Sequence, residues 1–266
     1  MTPILAVEVQ YGGEFDGALD DINSLFEMPY IWDLGPFSIN RTILIAFLMT
    51  AVAAFLFYRA FKAPTVLPGK LQSALEMLID FVRGIAVDII GPVKGPKFVP
   101  LLTSFFVFVL FMNLAKLTPL LMLPPTSRIA FPLFLAFTAW VVYVGVGIKS
   151  QGFGHYFKEL AFPPGVPKPL YVILTPIEII SGLILRPFTL MVRLFANMVA
   201  GHILVVITLV TIHVFLYPRP GLPIGIVALV ASPLVFAFEL LIIGLQAYIF
   251  TMLTAVYISS SADPAH

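Results

Sequence analysis

Arg186 and Arg193 stand seven residues apart, and Asn197 and Ala200 follow at steps of four and three. At about 100° per residue all four fall on one helix face. Ala196 and Gly201 flank that face, and small residues beside a charge let another helix approach closely. The surroundings make this stretch unusual, because Leu194 to Pro218 contains no Asp, Glu, Lys or Arg. A charge held in so apolar a run costs roughly 2.5–3.5 kcal/mol on insertion scales, so it marks a functional site by default. His202 lies two and a half turns beyond Arg193 and points away from the arginine face. In the last apolar run Glu239 and Gln246 are seven apart and share a face. Two adjacent helices would present His202 toward Glu239. Imidazole titrates near neutral pH, so a His–carboxylate pair at membrane depth suits a proton relay. The plainer alternatives are an arginine that neutralises Glu178 or Glu239, a Gln246 that only bonds a neighbouring helix, and an Asn197 that serves packing.

The elements that position these groups follow from composition. The chain of 266 residues is 60% hydrophobic and 11% charged, with mean hydropathy +1.02. Soluble domains average about 25% charged residues. The apolar runs are long and do not alternate, so the fold class is an all-α integral membrane protein and not a barrel. Zero cysteines exclude disulfides, thiol catalysis and Cys-ligated metals. The His and acidic residues lack close ligand spacing, so no metal site is expected. No Gly-x-x-x-x-Gly-Lys-[Ser/Thr] loop or Ser/His/Asp motif is present, so no cofactor and no catalytic triad are expected. The net charge of +1 gives no reason to expect a nucleic-acid partner. The first residues lack a basic n-region and a long apolar core, so no cleavable signal peptide is expected.

Two regions follow in chain order. Residues 1–40 carry Glu8, Glu14, Asp16, Asp20, Asp21, Glu27 and Asp33 and no Lys or Arg. Arg59, Lys62, Lys70, Arg83, Lys94 and Lys97 follow the first span. The positive-inside rule therefore places the acidic N-terminal segment outside and the 59–97 loop in the cytoplasm. Residues 41–266 form one membrane domain with conventional spans at about 42–58, 98–123 and 129–148. Leu71, Leu75, Leu78, Val82, Ile85 and Ile89 give residues 70–90 the period of an amphipathic helix at the cytoplasmic interface. Asn113 and Lys116 stand near the outer end of the second span, where Lys116 either lines a polar route or snorkels to the interface. Lys149, Lys158 and Lys168 mark an inner loop. Two long segments close the chain, at about 170–217 and 222–258. Both exceed the ~20 residues a perpendicular crossing needs. Neither has a strong central turn, so two long tilted antiparallel helices are expected, joined near Pro218 to Gly221. Pro176, Pro187 and Pro233 mark kinks.

At this point the chain closely resembles subunit a of the F-type ATP synthase membrane sector. Arg193-Leu-Phe-Ala-Asn197-Met-Val-Ala-Gly201-His202 and Leu245-Gln246-Ala-Tyr-Ile-Phe250-Thr-Met-Leu-Thr254 carry the resemblance. Phe98-Val-Pro100 and Asn113-Leu-Ala-Lys-Leu-Thr-Pro119 add to it, and it extends over nearly all of the chain after residue 38. The resemblance implies a stationary, non-catalytic subunit in the bacterial plasma membrane, with its C-terminus in the cytoplasm. Its implied partners are a ring of c subunits, the peripheral-stalk b subunits and the lipid bilayer. It implies that Arg193 is the coupling arginine between two aqueous half-channels. It further implies that Asn197, His202, Glu239 and Gln246 lie on the outer half-channel or the ring-facing surface, and Glu178 on the inner one. The acid and the histidine occupy exchanged places relative to some bacterial relatives. Lys116 departs from the pattern, since some relatives carry an acid there. A self-contained ion-coupled secondary transporter is the main alternative, but the paired repeats such proteins show are absent. A purely structural membrane scaffold leaves the aligned polar set unexplained. Proton or sodium as the driving ion stays open.

Overall fold

The computed structural model describes residues 30–32, 39–118, 128–162, 168–216 and 221–262. Most of the acidic N-terminal segment, the Pro124-Pro125 turn and most of the joint expected near Pro218 lie outside the described residues, which resume at Gly221. Residues Tyr30–Trp32 (β1) and Ile39–Asn40 (β2) form a short antiparallel pair with Tyr30 opposite Asn40. Everything else regular is helical: α1 (Arg41–Phe61), α2 (Lys70–Ile90), α3 (Val99–Leu114), α4 (Ala130–Gln151), α5 (Phe153–Ala161), α6 (Tyr171–Ile180), α7 (Arg186–Leu216) and α8 (Leu222–Ala262).

Five helical stretches among the described residues are long and apolar enough to cross a membrane: Thr42–Phe61, Gly95–Leu117, Ala130–Gln151, Tyr171–Leu216 and Leu222–Ala262. The last two run 46 and 41 residues. At 1.5 Å per residue each is roughly 60 Å or more, about twice the hydrocarbon thickness. Such helices must incline steeply or project beyond the bilayer. They are antiparallel, since partners on α7 descend as those on α8 rise: Arg186 meets Ser260, Asn197 meets Gln246, Gly201 meets Glu239, and Leu216 meets Gly225. Gly225 is required at the last crossing, because a Cβ there would lie 2.7 Å from the Leu216 backbone nitrogen.

Proline chemistry explains the local irregularities. Pro233 sits inside α8 without an N–H for the Leu229 carbonyl, and the Ser232 hydroxyl donates to that carbonyl at 2.8 Å instead. Pro187 has a larger effect. Ahead of it, residues Ser181–Leu185 form a π-helical turn, and the Arg186 N–H reaches back five residues to Ser181. In that register the Gly182 carbonyl would take its donor from residue 187, which has none. Tyr143 of α4 fills the gap, its hydroxyl donating to the Gly182 carbonyl at 2.9 Å. Among the described residues neither long segment turns back as a hairpin, in line with the sequence expectation.

The core lies where α2, α3, α4 and α7 converge on the C-terminal half of α8. Val82, Phe105, Ala139, Leu194, Phe250, Ala255 and Ile258 are among its buried residues. Phe105 and Phe250 meet edge to face at 5.7 Å between ring centres, a favoured aromatic geometry. A second cluster packs Ile45, Ala46 and Met49 of α1 on Met112 and Ala115. Helix α2 matches the amphipathic pattern in its bounds, and its buried face (Leu75, Val82, Ile85, Ala86) lies on α3 and α8 within the protein. The chain leaves α2 through Gly91, whose φ of 99° suits glycine. The last carbonyls of α8 find donors across the bundle, with Gln151 Nε2 on Ser261 at 3.2 Å and Lys94 Nζ on Ala262 at 3.4 Å. These contacts satisfy groups that a helix end leaves without internal partners.

Candidate functional site: a polar seam between the two long helices

Helices α7 and α8 bring the polar residues singled out in the sequence into one seam, with different exposures along it. Arg193 and Asn197 lie on the exposed face of α7. Ala196 and Ala200 lie on the same face, so the arginine stands on a flat strip of small side chains. Leu190, Leu194, Met198 and Gly201 face the opposite way, into the protein. Arg193, Asn197 and Ala200, at steps of four and three, share this exposed face. Asn197 Nδ2 donates to Gln246 Oε1 at 2.6 Å, crossing from the exposed strip to a residue buried on α8. Gln246 thus does bond a neighbouring helix, and through it anchors the strip that carries Arg193.

Arg186, nearly two turns earlier, is half-buried. It donates to Ser260 Oγ at 3.2 Å, and its guanidinium lies 5.5 Å from the Tyr257 ring centre. Both contacts tie the start of α7 to the end of α8, so Arg186 serves as an anchor between helices. Glu178 is partly exposed on α6, across the π-helical turn from both arginines.

The other end of the seam is closed. Glu239 is fully buried on α8, and Lys116 reaches it from the 3₁₀ turn Ala115–Leu117 at the end of α3. The two form a salt bridge between the Lys116 ammonium and Glu239 Oε2, with both side chains 1% exposed. Lys116 therefore does not snorkel to an interface. The physical reason is local: the 3₁₀ turn tightens the end of α3 and turns position 116 inward, and a fully buried carboxylate on α8 offers the compensation the ammonium needs. The alternative of an arginine partner for Glu239 is likewise replaced by Lys116. Gly201 of α7 lines the same point. A Cβ built on it would lie 2.6 Å from Glu239 Oε2, 2.8 Å from Oε1, and closer still to Lys116 Nζ. Only glycine admits the pair. His202, the next residue, is buried at 3% exposure and within electrostatic reach of Lys116. Asn113, one turn before Lys116, is also fully buried. The polar end of the seam thus draws on three elements, α3, α7 and α8.

No group of three or more His, Cys, Asp or Glu among the described residues is placed to hold a metal ion. Sequence reasoning missed two contributors. Tyr143 carries no sequence signal beyond its type. Helix α5 was expected as loop, although Phe153, Tyr156, Phe157 and Leu160 follow helical spacing. Its C-terminal Ala161 carbonyl accepts from Thr175 Oγ1 at 2.6 Å, which docks α5 beside α6 and Glu178.

The comparisons with known proteins agree in one direction. The family described as ATP synthase A chain matches residues 42–259. A protein of Rhodococcus erythropolis named ATP synthase subunit a is 43% identical over 258 residues, covering 96% of this chain and 93% of that one. One of Frankia alni bearing the same name is 40% identical over 267 residues, covering 98% and 89%. A third, from Pseudarthrobacter chlorophenolicus, is 38% identical over 261 residues and covers 97% of each. With a match that spans both long helices and the whole polar seam between them, the chain belongs to the ATP synthase subunit a family.

Proposed function

We propose that this chain is the stationary proton-translocating subunit of a bacterial rotary ATP synthase, a part of the membrane sector with no catalysis of its own. It forms two offset half-channels beside a ring of c subunits and couples proton flow to ring rotation. The observation that carries this reading is Arg193, a cation on an exposed strip of small residues in an otherwise charge-free stretch of α7. An unburied guanidinium at membrane depth is costly, so a helix that only packed against lipid has no use for one. A ring that presents one buried carboxylate after another has such a use. Arginine stays protonated under all conditions of the cell, so its charge lowers the proton affinity of each arriving carboxylate, the proton leaves through a half-channel, and the guanidinium holds the ionised form. The same fixed charge blocks protons from passing directly between half-channels.

The remaining site residues take roles consistent with their positions. Asn197 and Gln246 hold the ring-facing strip. His202 and Glu239 belong to the outer half-channel together with Asn113 and Lys116, and Glu178 to the inner one. The N-terminus lies outside and the C-terminus in the cytoplasm, as the Lys/Arg asymmetry favours. The peripheral-stalk b subunits and lipid cover other faces of the bundle. One charge crossing about 100 mV yields about 2.3 kcal/mol, so the ring must accumulate several steps for each nucleotide made.

The test is ATP-driven proton pumping by inverted vesicles carrying the assembled complex with Arg193→Ala, beside wild type. Pumping is expected to vanish while the c ring and this chain still copurify. Pumping at the wild-type rate would make the arginine structural and end this reading.

A further inference from the structure

We propose that the cleft between α1 and α3 is a binding site for an anionic phospholipid. One acyl chain lies in the cleft, the Thr103 hydroxyl donates to an ester carbonyl of the lipid, and the phosphate meets Lys97 with Arg59 and Lys62 beside it. The inference does not depend on the half-channel reading, because it uses none of the seam residues. Three observations carry it. The first is the hydroxyl. Thr50, Thr138, Thr208, Thr251 and Thr254 each donate to the carbonyl four residues back, and Ser104, next to Thr103, does the same. Thr103 is 8% exposed, and its Oγ1 is the one fully buried hydroxyl oxygen among the described residues without a hydrogen bond. A buried hydroxyl left without a partner is costly. Thr103 lines the cleft, where an acceptor on a ligand can reach it.

The second observation is shape. Ile45, Ala46 and Met49 of α1 pack on Met112 and Ala115 at one end of the contact, so the two helices run antiparallel. Toward the other end α1 offers only Ala53 and Ala54, and a cleft of about 270 Å³ opens against Thr103, Val107 and Phe108. A helix 10 Å wide fills about 400 Å³ per turn, so the cleft takes an extended chain and not a helix. Its walls are apolar apart from three hydroxyls, and those of Thr50 and Ser104 are already bonded within their own helices. The third observation is charge. Lys97 is exposed seven residues before Ser104, two turns down the same side of the helix. Arg59 and Lys62 are exposed at the adjoining end of α1. Such basic helix ends attract anionic lipids. The headgroup layer is roughly 5–7 Å thick on each side of a bilayer. Thr103 lies about 9 Å along the helix from Lys97. A phosphate held by the water-seeking end of that lysine therefore leaves the ester carbonyls at the level of Thr103.

The experiment places the assembled complex in phosphatidylcholine nanodiscs with a trace of phosphatidylglycerol that carries a photoactivatable acyl chain, and maps the crosslinked peptides by mass spectrometry. Labelling is expected within residues 49–57 and 103–112, displaced by unlabelled phosphatidylglycerol. A phosphatidylcholine probe with the same acyl chain is expected to label these peptides at least roughly fivefold less, the effect of one lysine beside an anionic lipid. Thr103→Val keeps the side-chain shape and is expected to lower phosphatidylglycerol labelling about two- to tenfold, the range of one hydrogen bond. Lys97→Gln is expected to lower it about fivefold, and Ala54→Phe to abolish it by filling the cleft. Equal labelling by the two probes in wild type overturns the proposal, since the cleft then holds annular lipid only. Absence of labelling at these peptides overturns it too, and a crosslink from them to a helix of another subunit names a protein occupant instead. Unchanged labelling in Thr103→Val likewise overturns it. Copurification with the ring is checked for each variant, and where a variant fails to assemble, the comparison of the two probes in wild type decides.

Discussion

Arg193 and Lys116 are both cations within apolar helical stretches, and the fold treats them in opposite ways. Arg193 stands exposed on α7 with alanines around it. Lys116 is buried, paired with Glu239 and seated against Gly201. The first charge is offered to something outside the chain. The second is neutralised within it. The difference follows from residue chemistry as much as from position. Arginine keeps its charge through desolvation, whereas lysine gives up its proton when buried without a partner. An outward-facing charge that must persist calls for arginine, and an enclosed one beside a carboxylate tolerates lysine.

The comparison breaks most sharply on removal of charge. Glu239→Leu strands the Lys116 ammonium and should destabilise the chain by about 3–5 kcal/mol. Arg193→Leu strands nothing inside the protein and should leave stability unchanged or slightly raised. Thermal denaturation of the two variants purified in detergent, followed by loss of helical circular dichroism, measures both. Equal melting temperatures would show that the two cations are not treated differently after all. Next in size, Gly201→Val forces bulk between Lys116 and Glu239 and should cost about 1–3 kcal/mol or more, visible in the same melt. The matching change on the exposed side, Ala200→Val, should be close to neutral for the isolated subunit.

Smaller effects probe the supports of the open strip. Tyr143→Phe removes the donor to the Gly182 carbonyl and should cost about 1–3 kcal/mol, because a buried acceptor is then left without a partner. Hydrogen exchange at the amides of residues 181–190 should rise if that bond holds the π-helical turn, and unchanged exchange would dismiss the idea. Asn197→Ala loses one hydrogen bond to Gln246 and should cost about 1 kcal/mol. A melt shifted as far as that of Glu239→Leu would mean that Asn197 is part of the closed cluster and not of the open strip.

The outline of the fold was legible in the sequence because long charge-poor runs admit few structures in lipid. The amphipathic helix at 70–90 follows from periodicity, and both long helices follow from apolar runs well over ~20 residues with no strong central turn. The arginine face follows from helical spacing, since Arg193, Asn197 and Ala200 stand on one element. The Lys116–Glu239 pair was not legible. It joins residues more than a hundred positions apart, and its third member, Gly201, has no side chain to announce a role. Helix α5 was missed because Gly152 and Gly154 break the pattern at its start. The π-helical turn was anticipated only as a kink at Pro187, since Ser181–Leu185 has nothing in its composition that distinguishes a hydrogen-bond step of five residues from one of four.

That turn has a further consequence for how the chain tolerates insertions and deletions. An i→i+5 turn absorbs one residue more than an α-helical turn, so everything before it is rotated by about 100° relative to everything after. The π-helical turn is a phase shifter between Glu178 and Arg193. Deleting one residue within Ser181–Leu185 would straighten the helix and swing Glu178 to a different bearing, with α7, α8 and the arginine strip left where they are. Two chains could then carry identical residues on both sides of this turn and still aim the acid at position 178 in different directions. The count of residues between the acid and the arginine is meaningful only together with the kind of turn that lies between them.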